Sequence, residues 1–311
     1  MRAAVLSAPR ELVLAECPPP GPGPRQVRVR LEGAGICASE LPLWEGREWF
    51  RYPRDPGEPG HEGWGRIDAV GGQVANLRAG QRVAVISHRA HAEMDVAEAA
   101  HVVLLPDALG HGSPFPGEPF ACAVNAMRRV AVQPGERVAV VGCGFLGLVL
   151  VQLSAASGCE VAAISRRTTA LELARGSGAA SAWRPGERSL ERQRPFDVVF
   201  EVTGHQEPLD LAARLTRVRG RLVIAGYHQD GRRSVDMQLW NWRGLDVINA
   251  HERDPAAYVA GLREAVAAVE SGRLDPGPLL THRYRLEELA EAYRISAARP
   301  EGFIKAVWCD A

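Results

Sequence analysis

The chain has no surplus of charge: lysine plus arginine and aspartate plus glutamate number 37 each. With a net charge of zero, no global field draws it to nucleic acid or to an anionic membrane. It also lacks any apolar run of the ~18–20 residues that crossing a bilayer takes. The most apolar helix-like stretch, beyond residue 144, contains Gln152 and stops at Gly158. The opening Met1-Arg-Ala-Ala-Val-Leu6 runs directly into a strand-like pattern, without the apolar segment of a secretory leader. Cysteine is sparse and scattered, at 17, 37, 122, 143, 159 and 309, with no two separated by only two or three residues. That spacing excludes a zinc lobe built from four closely set cysteines and argues against a disulfide framework. Internal repeats and low-complexity tails are missing too. The expectation is a cytoplasmic protein of about two domains.

What is present centres on Arg137-Val-Ala-Val-Val-Gly-Cys-Gly-Phe-Leu-Gly147. Val138 to Val141 read as a short buried strand, and Phe145 to Ser157 as a helix. A strand, a G-x-G-x-x-G turn and a helix start are what a dinucleotide pyrophosphate requires. Gly142 permits the turn, Gly144 lets backbone approach the phosphates, and Gly147 lets helix pack closely on strand. The helix N-terminus, with Phe145 and Leu146, offers unpaired N–H groups and a favourable dipole to the anion.

Before this turn the pattern is β-rich. A hairpin over 3–6 and 12–15 is followed by a Pro/Gly-rich connector from Cys17 to Pro24. Val27-Arg-Val-Arg-Leu31 has period two, the mark of a half-buried strand. Residues 33–37 read as a turn, and 44–60, rich in prolines, glycines and aromatics, as a loop. Strands are expected over 63–70, 82–86 and 102–105, the set suggesting a compact β-rich domain or small barrel. Residues 110–119 are a breaker-rich crossing into a helix over 120–132. Beyond the glycine turn, strands over 160–164, 196–202 and 220–226 alternate with helices over 169–175 and 209–217. Such alternation means a parallel sheet covered on both faces. Amphipathic helices over 256–269 and 286–297 and a strand over 303–308 close the chain.

Cys37, in Gly35-Ile-Cys-Ala-Ser-Glu40, and His61-Glu62, in Pro59-Gly-His-Glu-Gly63, lie beside strand ends. Thiolate, imidazole and carboxylate together are a reasonable zinc set, because catalytic zinc takes three protein ligands and keeps one position open. Cys37 and His61 are 24 residues apart, so spacing alone leaves open a buried cysteine and a hydrogen-bonded histidine beside a turn.

With these motifs in place, the chain resembles the medium-chain alcohol dehydrogenase superfamily, near its zinc-dependent polyol, sorbitol and threonine dehydrogenase branches. The resemblance spans essentially the whole length. Besides the segments already quoted it includes Glu118-Pro-Phe-Ala-Cys122, Val202-Thr-Gly204, Leu280-Thr-His-Arg283 and Gly302-Phe-Ile-Lys305. It implies an α/β protein: a GroES-like β-rich catalytic domain (1–121), a doubly wound parallel-sheet Rossmann domain for the cofactor (122–247), and a return to the catalytic domain (248–311). It implies zinc on Cys37 and His61, with Glu62 as a third ligand and Glu118 as a carboxylate that enters or approaches the shell; Cys122 is a poorer candidate. Glu40 stands where the family usually has an aspartate that orients the zinc-bound histidine. Ser39 matches the hydroxyl that passes the substrate proton toward solvent. A homodimer or homotetramer formed through the cofactor domains is implied as well.

Three departures from the pattern matter. Pro42 replaces a histidine at the outer end of the proton relay. Residues 87–100 hold no cysteine, so at most one zinc is expected; His88 and His91 there could bind a metal, but solvent or backbone bonding is the expected role. The chain is also shorter than the usual member.

After the strand ending at Ile164, an NAD enzyme usually carries a carboxylate for the ribose 2′-OH. Here the residues are Ser165-Arg-Arg167, which would bind a 2′-phosphate through charge-assisted bonds. NADP(H) is therefore expected, although the two arginines also suit a solvated helix start. Glu201 to Gly204, Val202 and Thr203 among them, should border the adenosine–ribose side. Gly226 and Tyr227 should approach the nicotinamide. The expected activity is hydride transfer between a small polar secondary alcohol, or its ketone, and NADP+. Trp44, Trp49, Glu45, Arg51, Arg54, Asp55, His228, His251 and Glu252 are candidates to line a pocket for a polyol, sugar or cyclitol. A zinc-free quinone or enone reductase of the same superfamily and a non-catalytic NADPH-binding protein are the competing readings.

Overall fold

The computed structural model describes residues 1–110 and 112–310. His111, in the 110–119 crossing, and Ala311 lie outside the described residues. The chain forms two compact units. One comprises Met1–Ala121, Asp254–Glu270 and Leu280–Ala311; the other comprises Cys122–Arg253 and Ser271–Leu279.

The first unit is mostly β. In chain order it contains β1 (Arg2–Ala8), β2 (Glu11–Glu16), β3 (Gln26–Gly35), the short helix α1 (Leu41–Glu45), β4 (Glu62–Val70), β5 (Arg82–Val85), β6 (Met94–Glu98) and β7 (Val102–Leu104). Strands β1 and β2 pair as the expected hairpin. In β3 the period-two pattern works as read: Val27, Val29 and Leu31 are buried, while Arg28 reaches Asp68 at the surface. Residues 33–35 are not a turn, however. The strand continues through them, with a register shift against β4 between Leu31 and Gly33. Glycine suits them because other atoms occupy the side-chain space: the Trp308 carbonyl oxygen and the Trp64 ring would each lie 2.3 Å from a Cβ at Gly33. Strand β6 and helix α1 escape the sequence reading, the latter lying partly within the supposed loop.

Helix α2 (Gly117–Val130) contains the boundary to the second unit. That unit holds β8 (Arg137–Val141), α3 (Phe145–Ala156), β9 (Glu160–Ile164), α4 (Thr168–Gly176), β10 (Ser181–Trp183), α5 (Arg188–Glu191), β11 (Phe196–Glu201), α6 (Gln206–Leu215), β12 (Thr216–Ile224), α7 (Met237–Arg243) and β13 (Asp246–Asn249). The six strands form one parallel sheet in the order β10-β9-β8-β11-β12-β13. The order reverses between β8 and β11, the switch point at which doubly wound sheets bind ligands. Strand residues such as Val138, Ala139, Val199 and Leu222 are fully buried, as a sheet covered on both faces requires. Strand β12 begins four residues before the expected Gly220, because α6 stops at Leu215 and Thr216 turns inward to bond the Ala212 carbonyl.

The remaining elements, α8 (Pro255–Glu270), β14 (His282–Tyr284), α9 (Leu289–Ala298) and β15 (Ala306–Cys309), belong to the first unit. Strand β15 pairs antiparallel with the 33–35 segment of β3. Among the described residues no helix is long and apolar enough to cross a membrane. All six cysteines are free thiols.

Gly147 is the tightest point between β8 and α3: an added Cβ would lie 1.9 Å from the Gly142 carbonyl oxygen. Gly147→Ala is expected to cost about 1–3 kcal/mol by overpacking, read as a lower urea midpoint, and to weaken NADPH binding in a fluorescence titration.

Candidate metal centre and nucleotide site

Two chain segments deliver the candidate metal-binding side chains of the first unit. Cys37 follows the end of β3, His61 directly precedes β4, and Glu62 opens that strand opposite Gly35. One ligand atom from each of Cys37, His61 and Glu62 lies within 4.8 Å of the others. The register makes this possible, since the Glu62 carboxylate folds over Gly35, where a Cβ would come within 1.8 Å of Oε2.

His61 Nδ1 lies 3.1 Å from the Pro59 carbonyl oxygen and 2.9 Å from Glu40 Oε1. Both neighbours are acceptors, which assigns the ring proton to Nδ1 and leaves Nε2 to ligate. The approach to Oε1 is off-line for a hydrogen bond, so this contact acts chiefly through charge. Burial disfavours a charged His61 ring, but the Cys37 thiolate and the Glu40 carboxylate outweigh it and raise the pKa well above the ordinary value.

Glu62 is fully buried beside Lys305, itself only 5% exposed. The Lys305 ammonium stands 2.6 Å from each carboxylate oxygen and donates a well-formed hydrogen bond to Oε1 only. Burial leaves the Glu62 pKa above the usual carboxylate range, with the Lys305 and His61 charges opposing it only in part. The buried Oε2 is thus left without a hydrogen bond, suited to a cation. Glu118, in the first turn of α2, accepts from the Tyr258 hydroxyl at 3.0 Å and is near enough to raise the Glu62 pKa. It is not one of the three residues that converge. Ser39 donates to Cys37 Sγ at 3.2 Å. Glu40 is enclosed as well; burial would raise its pKa, but the imidazoles of His91 and His61 hold it below the usual carboxylate range.

In the second unit the nucleotide candidates all follow the C-terminal ends of adjacent parallel strands. Gly142, Gly144, Phe145, Leu146 and Gly147 link β8 to α3; Ser165, Arg166 and Arg167 follow β9; Val202 and Thr203 follow β11; Gly226 and Tyr227 follow β12. Gly142 has φ +108°, a left-handed conformation that favours glycine. No atom lies within 4 Å of a Cβ built at Gly144, so that backbone is open to approach. Ser165 is nearly buried and accepts from the Arg167 backbone N–H at 3.3 Å. Arg166 is exposed.

Two successive family models match the chain: the alcohol dehydrogenase GroES-like domain over residues 23–132 and the zinc-binding dehydrogenase domain over 146–266. Together they span well over half of it. The chain belongs to the medium-chain zinc-type alcohol dehydrogenase superfamily. Its first unit is the GroES-like domain of that family, and its second is the Rossmann-like domain. Among curated members, L-galactonate-5-dehydrogenase of Escherichia coli is 27% identical, covering 99% of this chain and 98% of that protein. Human sorbitol dehydrogenase is 27% identical over 93% and 90%. Galactitol-1-phosphate dehydrogenase from Escherichia coli shares the fold at a TM-score of 0.87 and 23% identity, with 100% of each chain covered. The protein is thus an NAD(P)-dependent oxidoreductase of the zinc-type family, with one potential metal site among the described residues, at Cys37, His61 and Glu62.

Several side chains take other places than the sequence reading gave them. His91 is fully buried and bonds the side chains of Glu40 and Tyr293, rather than solvent or backbone groups through its ring. Trp44 is core, stacked on Tyr293 at 6.0 Å between centroids. Arg54 pairs with Glu58, and Asp55 with Arg89. His228, a candidate pocket residue, bonds the buried Glu201 carboxylate, which also accepts from the Thr203 and Gly204 N–H groups. Lys305 was visible only as part of a motif. A lysine inside the otherwise apolar run 303–308 was the available signal, because a buried ammonium demands a buried anion.

Lys305→Met is expected to destabilise the protein by about 3–5 kcal/mol, because it strands Glu62 as an uncompensated buried charge. Glu62→Gln added to Lys305→Met should restore most of the loss in thermal or urea unfolding. A single variant as stable as wild type would contradict the pairing.

Proposed function

We propose that this protein is a zinc-dependent, NADP(H)-preferring dehydrogenase that interconverts a secondary alcohol of the polyol, sugar or cyclitol class and its ketone. The observation that carries the reading is the convergence of one thiolate, one imidazole and one carboxylate, each with an atom suited to ligation. One sulfur, one nitrogen and one oxygen donor fit zinc with a position left for substrate. The relatives L-galactonate-5-dehydrogenase and sorbitol dehydrogenase support the substrate class.

Cys37, His61 and Glu62 would hold the metal, and Glu118 is the carboxylate that would approach its shell. Zinc supplies Lewis acidity that favours loss of the alcohol proton and polarises the ketone, and the nicotinamide supplies the hydride acceptor or donor. The Pro59 carbonyl and the Glu40 charge together would fix the tautomer of His61. Lys305 would favour the ionised form of the buried Glu62 through its charge and hydrogen bond. Ser39 would take the hydroxyl proton outward, and Pro42 stands where the family's relay has an imidazole. Ser165, Arg166 and Arg167 would bind the 2′-phosphate, and none of the three carries the negative charge that would repel it. A homodimer or homotetramer is part of the same reading. Val218, Met237, Trp242 and Val247 support it as exposed apolar side chains on β12, α7 and β13, Trp242 being 87% exposed.

One observation favours the zinc-free reductase: Lys305 alone already neutralises Glu62. Metal analysis separates the two. The purified protein should hold about one zinc per chain, and chelation should abolish turnover of sorbitol-like polyols. Cys37→Ser should lower kcat/KM about a thousandfold, the equivalent of ~4 kcal/mol of transition-state stabilisation. Full activity on enones with negligible zinc would establish the reductase instead.

The cofactor preference is tested independently. Replacing Arg166 and Arg167 by alanine should reduce kcat/KM for NADP+ by about 10–100-fold and leave that for NAD+ nearly unchanged. Equal use of both cofactors by the wild type would contradict the assignment.

A further inference from the structure

Behind His61, the first unit buries a second polar cluster that the reaction does not itself require. Its members come from four separated segments: Glu40 beside α1, His91 before β6, Tyr293 on α9 and Trp308 on β15. Trp308 and His91 are fully buried, Tyr293 is 1% exposed and Glu40 2%. A histidine, a tyrosine and a carboxylate in such a place cost stability unless every polar atom is satisfied.

The hydrogen bonds run in one direction. The Trp308 indole N–H, which can only donate, donates to His91 Nδ1 at 3.2 Å. Nδ1 is therefore an acceptor, and the His91 ring proton sits on Nε2. From there it faces the Tyr293 hydroxyl oxygen at 3.0 Å and Glu40 Oε2 at 3.3 Å. The Tyr293 hydroxyl in turn donates to the same Oε2 at 2.7 Å. Two donors thus engage one carboxylate oxygen and leave the other, Oε1, 2.9 Å from His61 Nδ1. Packing joins the two halves as well. A Cβ at Gly60 would lie 2.8 Å from the His91 ring, so the backbone that carries His61 rests directly on that ring. Tyr293 meets the ring edge-on, centroids 5.7 Å apart.

We propose that His91 and Tyr293, with His91 oriented by Trp308, are positioning residues for the metal centre. They pin Glu40 through one oxygen so that the other holds His61 with Nε2 turned to the ion. The inference rests on the zinc reading above. It assigns to three core residues a task beyond packing, and it explains how a glutamate, with one more rotatable bond than an aspartate, is kept in a single orientation. Glu40 and the two donors then form one unit, so that removing a donor matters only while the carboxylate is present.

The test uses the full chain and reads zinc affinity, by competition with a chromophoric chelator, together with the visible spectrum of the cobalt-substituted protein. Tyr293→Phe removes one hydroxyl and little else; His91→Phe removes the ring donor; Glu40→Gln keeps the size and loses the charge. Each should weaken zinc binding about 10–100-fold, the range for outer partners of a metal-ligating histidine, and shift the cobalt bands. Tyr293→Phe added to Glu40→Gln should cost less than threefold more. Far-UV circular dichroism of the metal-free proteins checks folding; should His91→Phe not fold, Tyr293→Phe and the double variant decide alone. Wild-type protein that binds zinc while Tyr293→Phe stays within twofold of it would overturn this proposal and leave the metal reading intact. So would an equal loss from Tyr293→Phe in both backgrounds, which marks a structural role only. Wild-type protein that binds no zinc would overturn both.

Discussion

Two carboxylates without access to water stand close to one imidazole, and the first unit is arranged around keeping them charged. Glu62 and Glu40 are buried to within 2% of completely, a condition a lone carboxylate does not tolerate. Each is compensated from a distant part of the chain. Lys305, 243 residues away, serves Glu62, and Tyr293, 253 residues away, serves Glu40. The terminal segment supplies both partners and docks onto β3 through β15. Removing that segment would leave charges that the β-rich part cannot solvate. The return of the chain to its first unit is therefore an electrostatic requirement as much as a topological one.

The second unit follows a different constraint. Its strands are buried on both faces, so their polar chemistry is confined to the loops at their C-terminal ends. The four glycine-, serine- and arginine-bearing loops that the sequence marks for nucleotide binding follow β9, β8, β11 and β12, which are neighbours in the sheet. Glu201 holds two of these loops from beneath. Through one oxygen it binds the Thr203 and Gly204 amides, and through the other His228. It shapes the edge from inside and does not offer its charge to a ligand.

The parallel-sheet unit is legible in the sequence because its signals are local. Apolar runs such as 138–141 and 198–200 each lead into a glycine-bearing turn. The β-rich unit is legible only in outline. Period two reveals the start of β3, but its continuation through Gly33 and Gly35 depends on Trp64, Trp308 and Glu62 filling the space above those glycines, which no local pattern contains. The same holds for the metal centre. Ligand types are visible at 37, 61 and 62, whereas the partners that make them usable, at 91, 293, 305 and 308, are set by strand register and helix packing. Ser165 to Arg167 carry a charge argument readable from three letters; the place of Glu118 relative to the ligand set is not readable at all.

The central claim is that Cys37, His61 and Glu62 share one ion. X-ray absorption at the zinc edge of the loaded protein tests it most directly, since sulfur and lighter ligands scatter differently. The account predicts a single sulfur at about 2.3 Å with the remaining ligands, nitrogen and oxygen, at about 2.0–2.2 Å. A zinc site with no sulfur ligand, or one built from several sulfurs, would contradict it.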